Sequence, residues 1–218
     1  MACWFLIDAT ATEQTLMYMG DQFAAQYDQL QVINPAFQGV RAHTYNSGTA
    51  SVNATTNPST DTWHHAAAVF AASDERHVYF NGGNHNSTST SVSVPTHVYT
   101  TIGSRLSASF LSGNVAEAAI WNVALSADEV SALATGAAPH LVRAANLVAY
   151  WPLLRTDQGL MDGYDLTPQN APTWTTHPAT IWYPAPTVGL WMPASSTPTT
   201  INMGTATLSA SAQAATVE

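Results

Sequence analysis

The sequence contains no lysine. Its only basic residues besides histidine are five arginines (Arg41, Arg76, Arg105, Arg143 and Arg155), set against fourteen acidic residues and a formal net charge of −9. Charged residues make up 9% of the chain, where about 25% is usual. Five scattered arginines cannot build the clustered basic surface that nucleic-acid binding requires, so nucleic acid is excluded as a partner. The same shortage argues against docking on an anionic membrane. A single cysteine, Cys3, rules out an intrachain disulfide. No run reaches the roughly 18 continuous apolar residues of a spanning helix, which excludes membrane insertion by a helix. The first residues have no basic, cleavable leader and enter a strand at once, so no signal peptide is expected.

What is present is apolar and aromatic. Over 218 residues, 46% are hydrophobic and 10% aromatic, enough to bury a large core. The surface must then be polar but uncharged, built from Ser, Thr, Asn and Gln. Strand-like runs are predicted at 1–7, 14–19, 27–33, 39–45, 63–71, 77–80, 91–101, 115–121, 147–153 and 164–167, separated by Gly, Asn, Asp and Pro. Pro95 marks its run as an edge or a bulge. Short strands at this spacing predict an all-β fold, a sandwich or jelly roll.

One helix interrupts the pattern, at 126–136. Ser126 and Glu129 form the S-x-x-E capping box, Leu125 and Val130 the hydrophobic staple. Val130, Leu133 and Ala134 share one face, and Gly136 supplies the positive φ that ends the helix. So short a helix is unstable alone and must pack on a sheet. From 183 onward the composition changes to Pro, Ser, Thr and Ala. Two domains are expected, 1–182 and a C-terminal arm at 183–218. The apolar residues Leu190, Trp191 and Met192 are its candidate assembly contacts.

Three stretches resemble one family. "DTWHHAAAVFAASDERHVYFNGG" is similar to the W-H…R-x-Y-x-N-G strand pair of laminin-G-like jelly rolls. "LSGNVAEAAIWNVALSADEVSALATG" resembles their strand–helix signature, and "LVAYWPL" with "DGYDLT" their Y-W-P-F…D…L element. The resemblance covers about 1–175 and implies the concanavalin A-like lectin/glucanase superfamily: two antiparallel sheets in a jelly-roll sandwich with one short α-helix, here followed by an extended C-terminal tail. The sequence departs from it in two ways. The family's initial strand before the Trp strand is missing, so truncation or replacement by the tail or a neighbouring subunit is expected. In the signature, Ala116 and Ala119 stand where the family has Asp and Arg, leaving Glu117 alone. The Pro-rich "IWYP" tail is similar to modules encoded among structural genes of tailed bacteriophages.

The residues allow several chemistries. Retaining glycoside hydrolysis needs two carboxylates about 5–5.5 Å apart, which the superfamily's enzymes place on one strand as E-x-D-x-E, and no such run exists. Glu117 reads as a sugar acceptor or, preferably, as a buried carboxylate paired with Arg76 or Arg105. His64 and His65 point to opposite faces of a strand and cannot simply share a metal. No cofactor is required. Calcium is the one the resemblance allows, with Asp157, Asp162 and Asp165 as oxygen ligands. Sugar binding would use exposed rings and amides; the candidates are Tyr45, Trp63, Tyr99 and Trp174 with Asn81 and Asn84.

The leading expectation is a non-catalytic structural or attachment module of an extracellular assembly, a capsid decoration or tail component of a bacteriophage virion. Its partners would be other protein subunits, as a homo-oligomer or within a capsid or tail, with glycan contact, and its place the virion or extracellular surface. The alternative is a free-standing carbohydrate-binding lectin. A glycoside hydrolase ranks third, because the paired carboxylates are missing.

Overall fold

The computed structural model describes residues 1–8, 12–33, 39–154, 159–160, 164–175, 177–178, 181, 200–203 and 206–209. Two antiparallel sheets stack face to face. The first, edge to edge, is β11 (Leu147–Trp151), β10 (Gly113–Trp121), β1 (Ala2–Ile7), β6 (His64–Ala72), β7 (Glu75–Phe80) and β8 (Asn84–Thr88). The second is β5 (Thr49–Asn53), β4 (Val40–Asn46), β3 (Gln26–Val32), β2 (Gln14–Gly20) and β9 (Tyr99–Ile102). This is the jelly-roll sandwich that the strand spacing predicts.

Alternation along each strand sets its two faces. Cys3, Phe5, Ile7, Ala66, Ala68, Val78 and Phe80 point inward from the first sheet and meet Leu16, Leu30, Val32, Val40 and Ala42 of the second. Burial pushes the Cys3 thiol up to about 12, which keeps it protonated and unreactive.

The intervening residues of the six-stranded sheet form a second apolar layer: Ala2, Ala67, Val69, Tyr79, Ala119 and Trp121. Three alanines make room there for the helix, α1 (Ala127–Ala134), which seats Val130 and Leu133 on this face. Both halves of the capping box form. Ser126 Oγ accepts from the Glu129 amide at 3.3 Å, and Glu129 Oε2 from the Ser126 amide at 2.8 Å. Leu125 joins the same apolar cluster, as the staple requires. Gly136, at φ 104°, ends the helix.

The structure departs from the sequence reading in three places. β5 and β8 form over residues that fall between the runs read as strands. Both are outermost strands of their sheets, where one side has no ladder partner and polar residues suit the exposed edge. The run 91–101 is a strand only over β9, because 89–98 crosses from one sheet to the other. Residues 164–167 lie in a stretch outside any sheet ladder; the Tyr164 carbonyl accepts from Trp151 Nε1.

The chain divides into two compact units, Met1–Ile181 and Trp182–Glu218. Within the second, β12 (Thr200–Met203) pairs antiparallel with β13 (Ala206–Ser209). Leu190, Trp191 and Met192 lie outside the described residues. No helix among the described residues is long and apolar enough to cross a membrane.

Candidate functional site

The face of the five-stranded sheet turned away from the core gathers aromatic, amide and basic side chains. Register places its side chains in three rows. Tyr99, Gly20, Tyr27, Tyr45 and Thr49 make the first; Thr101, Tyr18, Gln29, His43 and Ser51 the second; Thr15, Gln31, Arg41 and Asn53 the third. The sequence dictates this through "QYDQLQV" and "VRAHTYN", where Leu30, Val32, Val40 and Ala42 turn inward and the alternate residues turn out.

The rings on this face touch one another. Tyr27 lies 5.4 Å from Tyr18, 5.6 Å from His43 and 5.7 Å from Tyr45, centroid to centroid. Gly20 makes this possible. A Cβ there would fall 2.6 Å from the Tyr18 hydroxyl, which folds over the glycine to donate to the Asp21 carbonyl at 2.6 Å. The segment after β9 returns beside β2, with the Thr15 amide donating to the Ser109 carbonyl. It carries Arg105 onto the face: the guanidinium stands 5.7 Å from the Tyr27 ring centre and donates to the Tyr27 hydroxyl at 3.1 Å.

Two glutamines of the second and third rows are buried, Gln29 at 0% and Gln31 at 1% exposure. Gln29 Nε2 donates to Thr15 Oγ1 at 2.5 Å. The Oε1 atoms of Gln29 and Gln31 are buried and accept no hydrogen bond. An unsatisfied buried acceptor costs about 1–3 kcal/mol, and because both oxygens are sealed from solvent this cost falls on folding rather than on a ligand at the face. Burial, then Arg41 and Arg105, push His43 down to about 4, so the ring is neutral at pH 7 and both guanidinium charges reach it. Tyr45, His43 and Arg41 are partly exposed, and Tyr99 is 47% exposed. No carboxylate belongs to these rows.

The sequence candidates divide accordingly. Tyr45 and Tyr99 come together in the first row. Trp63 is partly buried just before β6. Asn81 and Asn84 belong to the β7–β8 hairpin of the other sheet. Asn81 Oδ1 accepts from the His65 amide at 2.9 Å, and Asn84 Oδ1 from the Thr55 amide at 2.9 Å, so both fasten backbone. Trp174 is 48% exposed, in a stretch outside the sheets. Asp157 and Asp162 lie outside the described residues; Asp165 accepts from the Gly159 amide at 3.1 Å. Among the described residues no group of three or more His, Cys, Asp and Glu could hold a metal ion. Tyr18, Tyr27, Gln29, Gln31, Arg41, His43 and Arg105 were not among the candidates, although the alternation of aromatic, amide and basic residues opposite an apolar face signals them.

Glu117 is buried, but neither expected arginine pairs with it. It sits in β10 at φ 54°, where the register with β1 shifts. Tyr150 Oη donates to it at 2.5 Å, and His177 Nε2 lies 3.0 Å away. Arg105 lies on the other sheet, and Arg76 is held elsewhere. His64 and His65 do face opposite ways, His64 toward Phe5 and His65 toward Trp4.

A second polar cluster lies between the sheets, where Asp28, Thr44, Phe70, Arg76 and His97 line a cavity of about 320 Å³. Its groups are already engaged. Arg76 donates to Thr44 Oγ1, the Thr90 carbonyl and the Ser73 carbonyl at 2.6–2.9 Å. Asp28 accepts from Thr44 at 2.5 Å and meets His97 at 2.9 Å. This cluster clamps the crossing segment and offers a ligand few free polar atoms.

The fold and the sheet face define a jelly-roll module whose outer sheet face carries accessible aromatic rings. A family model described as the concanavalin A-like lectin/glucanases superfamily matches residues 1–131, and the chain belongs to that superfamily. A search of the curated proteins returns no match. Among solved structures, the chain is similar to a candidate carbohydrate-binding protein from Bacteroides ovatus, at 15% identity and TM-score 0.53, covering 70% of this chain and 44% of that one. It is also similar to domain 4 of an extracellular arabinanase from Geobacillus stearothermophilus, in complex with arabinotriose, at 19% identity and TM-score 0.51, covering 61% of this chain and 64% of that one. The chain thus spans less than half of the first and under two thirds of the second.

Proposed function

We propose that the protein is a non-catalytic carbohydrate-binding module whose ligand lies across the outward face of the five-stranded sheet. The observation that carries this is the group of accessible rings, Tyr45, His43 and Tyr99, with Tyr45 and His43 packed on the buried Tyr27 ring and that ring on Tyr18. Sugar rings present C–H faces that stack on aromatics and hydroxyls that donate to carbonyls. The two similar structures add support, since one is described as a candidate carbohydrate-binding protein and the other holds arabinotriose. Hydrolysis would need a carboxylate pair, and the rows of this face contain none among the described residues.

The reading is tested by titrating the full chain with the best hit of a glycan array. Tyr45→Ala and Tyr99→Ala should each weaken binding by about tenfold, the equivalent of one lost stacking contact, while leaving thermal unfolding nearly unchanged. Loss of binding in Trp174→Ala with both tyrosine variants intact would move the site off the sheet face. Incubation with the bound oligosaccharide should release no sugar.

The finer reading, an attachment component of a virion or other extracellular assembly, is compatible with the same face. Its support is the separate compact unit Trp182–Glu218 and the lysine-free surface. On this reading, deleting Trp182–Glu218 lowers the oligomeric state measured by light scattering. An unchanged state would remove the arm from assembly.

A further inference from the structure

Resting on the sheet-face reading, we infer that the glycan bound there is acidic: an oligosaccharide whose carboxylates pair with Arg41 and with Arg105. The chain has five arginines and no lysine among 218 residues, and two of the five converge on one face. Arg76 is buried and spends its donors on Thr44 and backbone carbonyls. Arg143 pairs with Glu129. Arg155 lies outside the described residues.

Arg41 and Arg105 form no ion pair among the described residues, although the chain has fourteen acidic groups to choose from. Arg41 Nε donates to Asn53 Oδ1 at 3.0 Å, which orients the guanidinium. Arg105 Nη1 donates to Tyr27. Each retains further N–H donors with no protein acceptor among those contacts. Arg41 lies across from Gln31, while Arg105 stands over Tyr27. Those partners are four residues apart on β3, about 13 Å along the strand, with Gln29 and His43 between. A partly buried guanidinium without a counter-charge is unfavourable, and two of them on a face with accessible tyrosine rings favour an anion that also carries a C–H face for stacking.

A carboxylate meets a guanidinium with two parallel hydrogen bonds, and the accessible rings of Tyr45 and Tyr99 give the C–H faces of the sugar a place to stack. A chain of net charge −9 repels a dense polyanion before contact. A short carboxylated oligosaccharide is therefore favoured over a heavily sulfated chain.

The test uses the full chain on an array of neutral, carboxylated (uronic and sialic acid) and sulfated oligosaccharides, followed by calorimetry on the best hit. Binding should concentrate on carboxylated sugars. Arg41→Gln and Arg105→Gln should each weaken it about tenfold or more. Arg41→Lys should restore part of the loss, and Arg143→Gln should change nothing. Far-UV circular dichroism confirms that each variant is folded. If a neutral oligosaccharide binds best and both Gln variants stay within twofold, the acidic ligand is wrong while carbohydrate binding stands. Preference for sulfated sugars overturns the carboxylate. If the folded wild type binds no sugar of any class, the sheet-face reading fails as well.

Discussion

Arg76→Met should destabilise the protein by about 3–5 kcal/mol, read as a lower midpoint in urea unfolding. Arg76 is 2% exposed and the methionine matches its stem, so the loss is electrostatic rather than steric. The guanidinium is lost at once from Thr44 Oγ1 and from the carbonyls of Thr90, Ser73 and Val92. Thr44 then holds the buried Asp28 carboxylate without the cation behind it. The crossing segment 89–98 loses its main anchor, although the Val92 amide still reaches the Ser73 carbonyl. Removing both charges, in Arg76→Met with Asp28→Leu, should cost less than Arg76→Met alone, because no buried carboxylate is then left without the nearby cation's field. If the double variant is the weaker, the two groups do not act through Thr44. For a domain whose whole stability is about 5–15 kcal/mol, either outcome is easy to measure.

The second large effect is acid lability below pH 6.5. His65 is wholly buried against Trp4, and burial lowers it from 6.5 to about 3. The folded state therefore keeps this ring neutral where the unfolded chain protonates it. Between pH 6.5 and about 3 the unfolded chain binds more protons, so stability rises with pH. The contribution is complete above 6.5 and is lost as pH falls toward 3. At pH 5, a pH one and a half units below 6.5, His65 alone removes about 2 kcal/mol. His43, lowered to about 4, acts in the same direction. Urea unfolding at pH 7, 6 and 5 should show the decline, and His65→Gln should flatten it. An equal slope in the variant would assign the lability to other groups.

The fold was legible in the sequence because its signals are local. Runs of alternating residues between turn formers mark most of the strands, and Ser126, Glu129 and Gly136 bound the helix from the sequence alone. The edge strands β5 and β8 were not legible, since their pairing is decided by a neighbour rather than by their own polar composition. The site was half legible for a related reason. Tyr45 and Tyr99 stand out as single residues, but they lie 54 positions apart and share a row only through β2 and β3. Tyr27, Gln29 and Gln31 read as ordinary strand residues until register shows that they look away from the core. Glu117 was correctly expected to be buried and paired. Its partners were missed because His177 comes from a stretch outside the sheets, sixty residues further along the chain.

The position of β1 has a consequence for how the protein reaches this structure. β1 is an interior strand of its sheet, with Ala2 opposite Ala67 on one side and Ala119 on the other. Neither neighbour is near it in sequence. During synthesis, β1 leaves the ribosome with both of its edges unpaired and waits for β6, then for β10. Partners so distant slow a folding reaction, because the loops between them must close before the contacts form. Until β10 arrives, Trp4, Phe5 and Leu6 belong to an apolar strand with an open edge, the kind of surface that captures another nascent chain. The protein's yield in a cell should thus depend on how quickly residues 113–121 follow the first strand, more than on the stability of the finished sandwich.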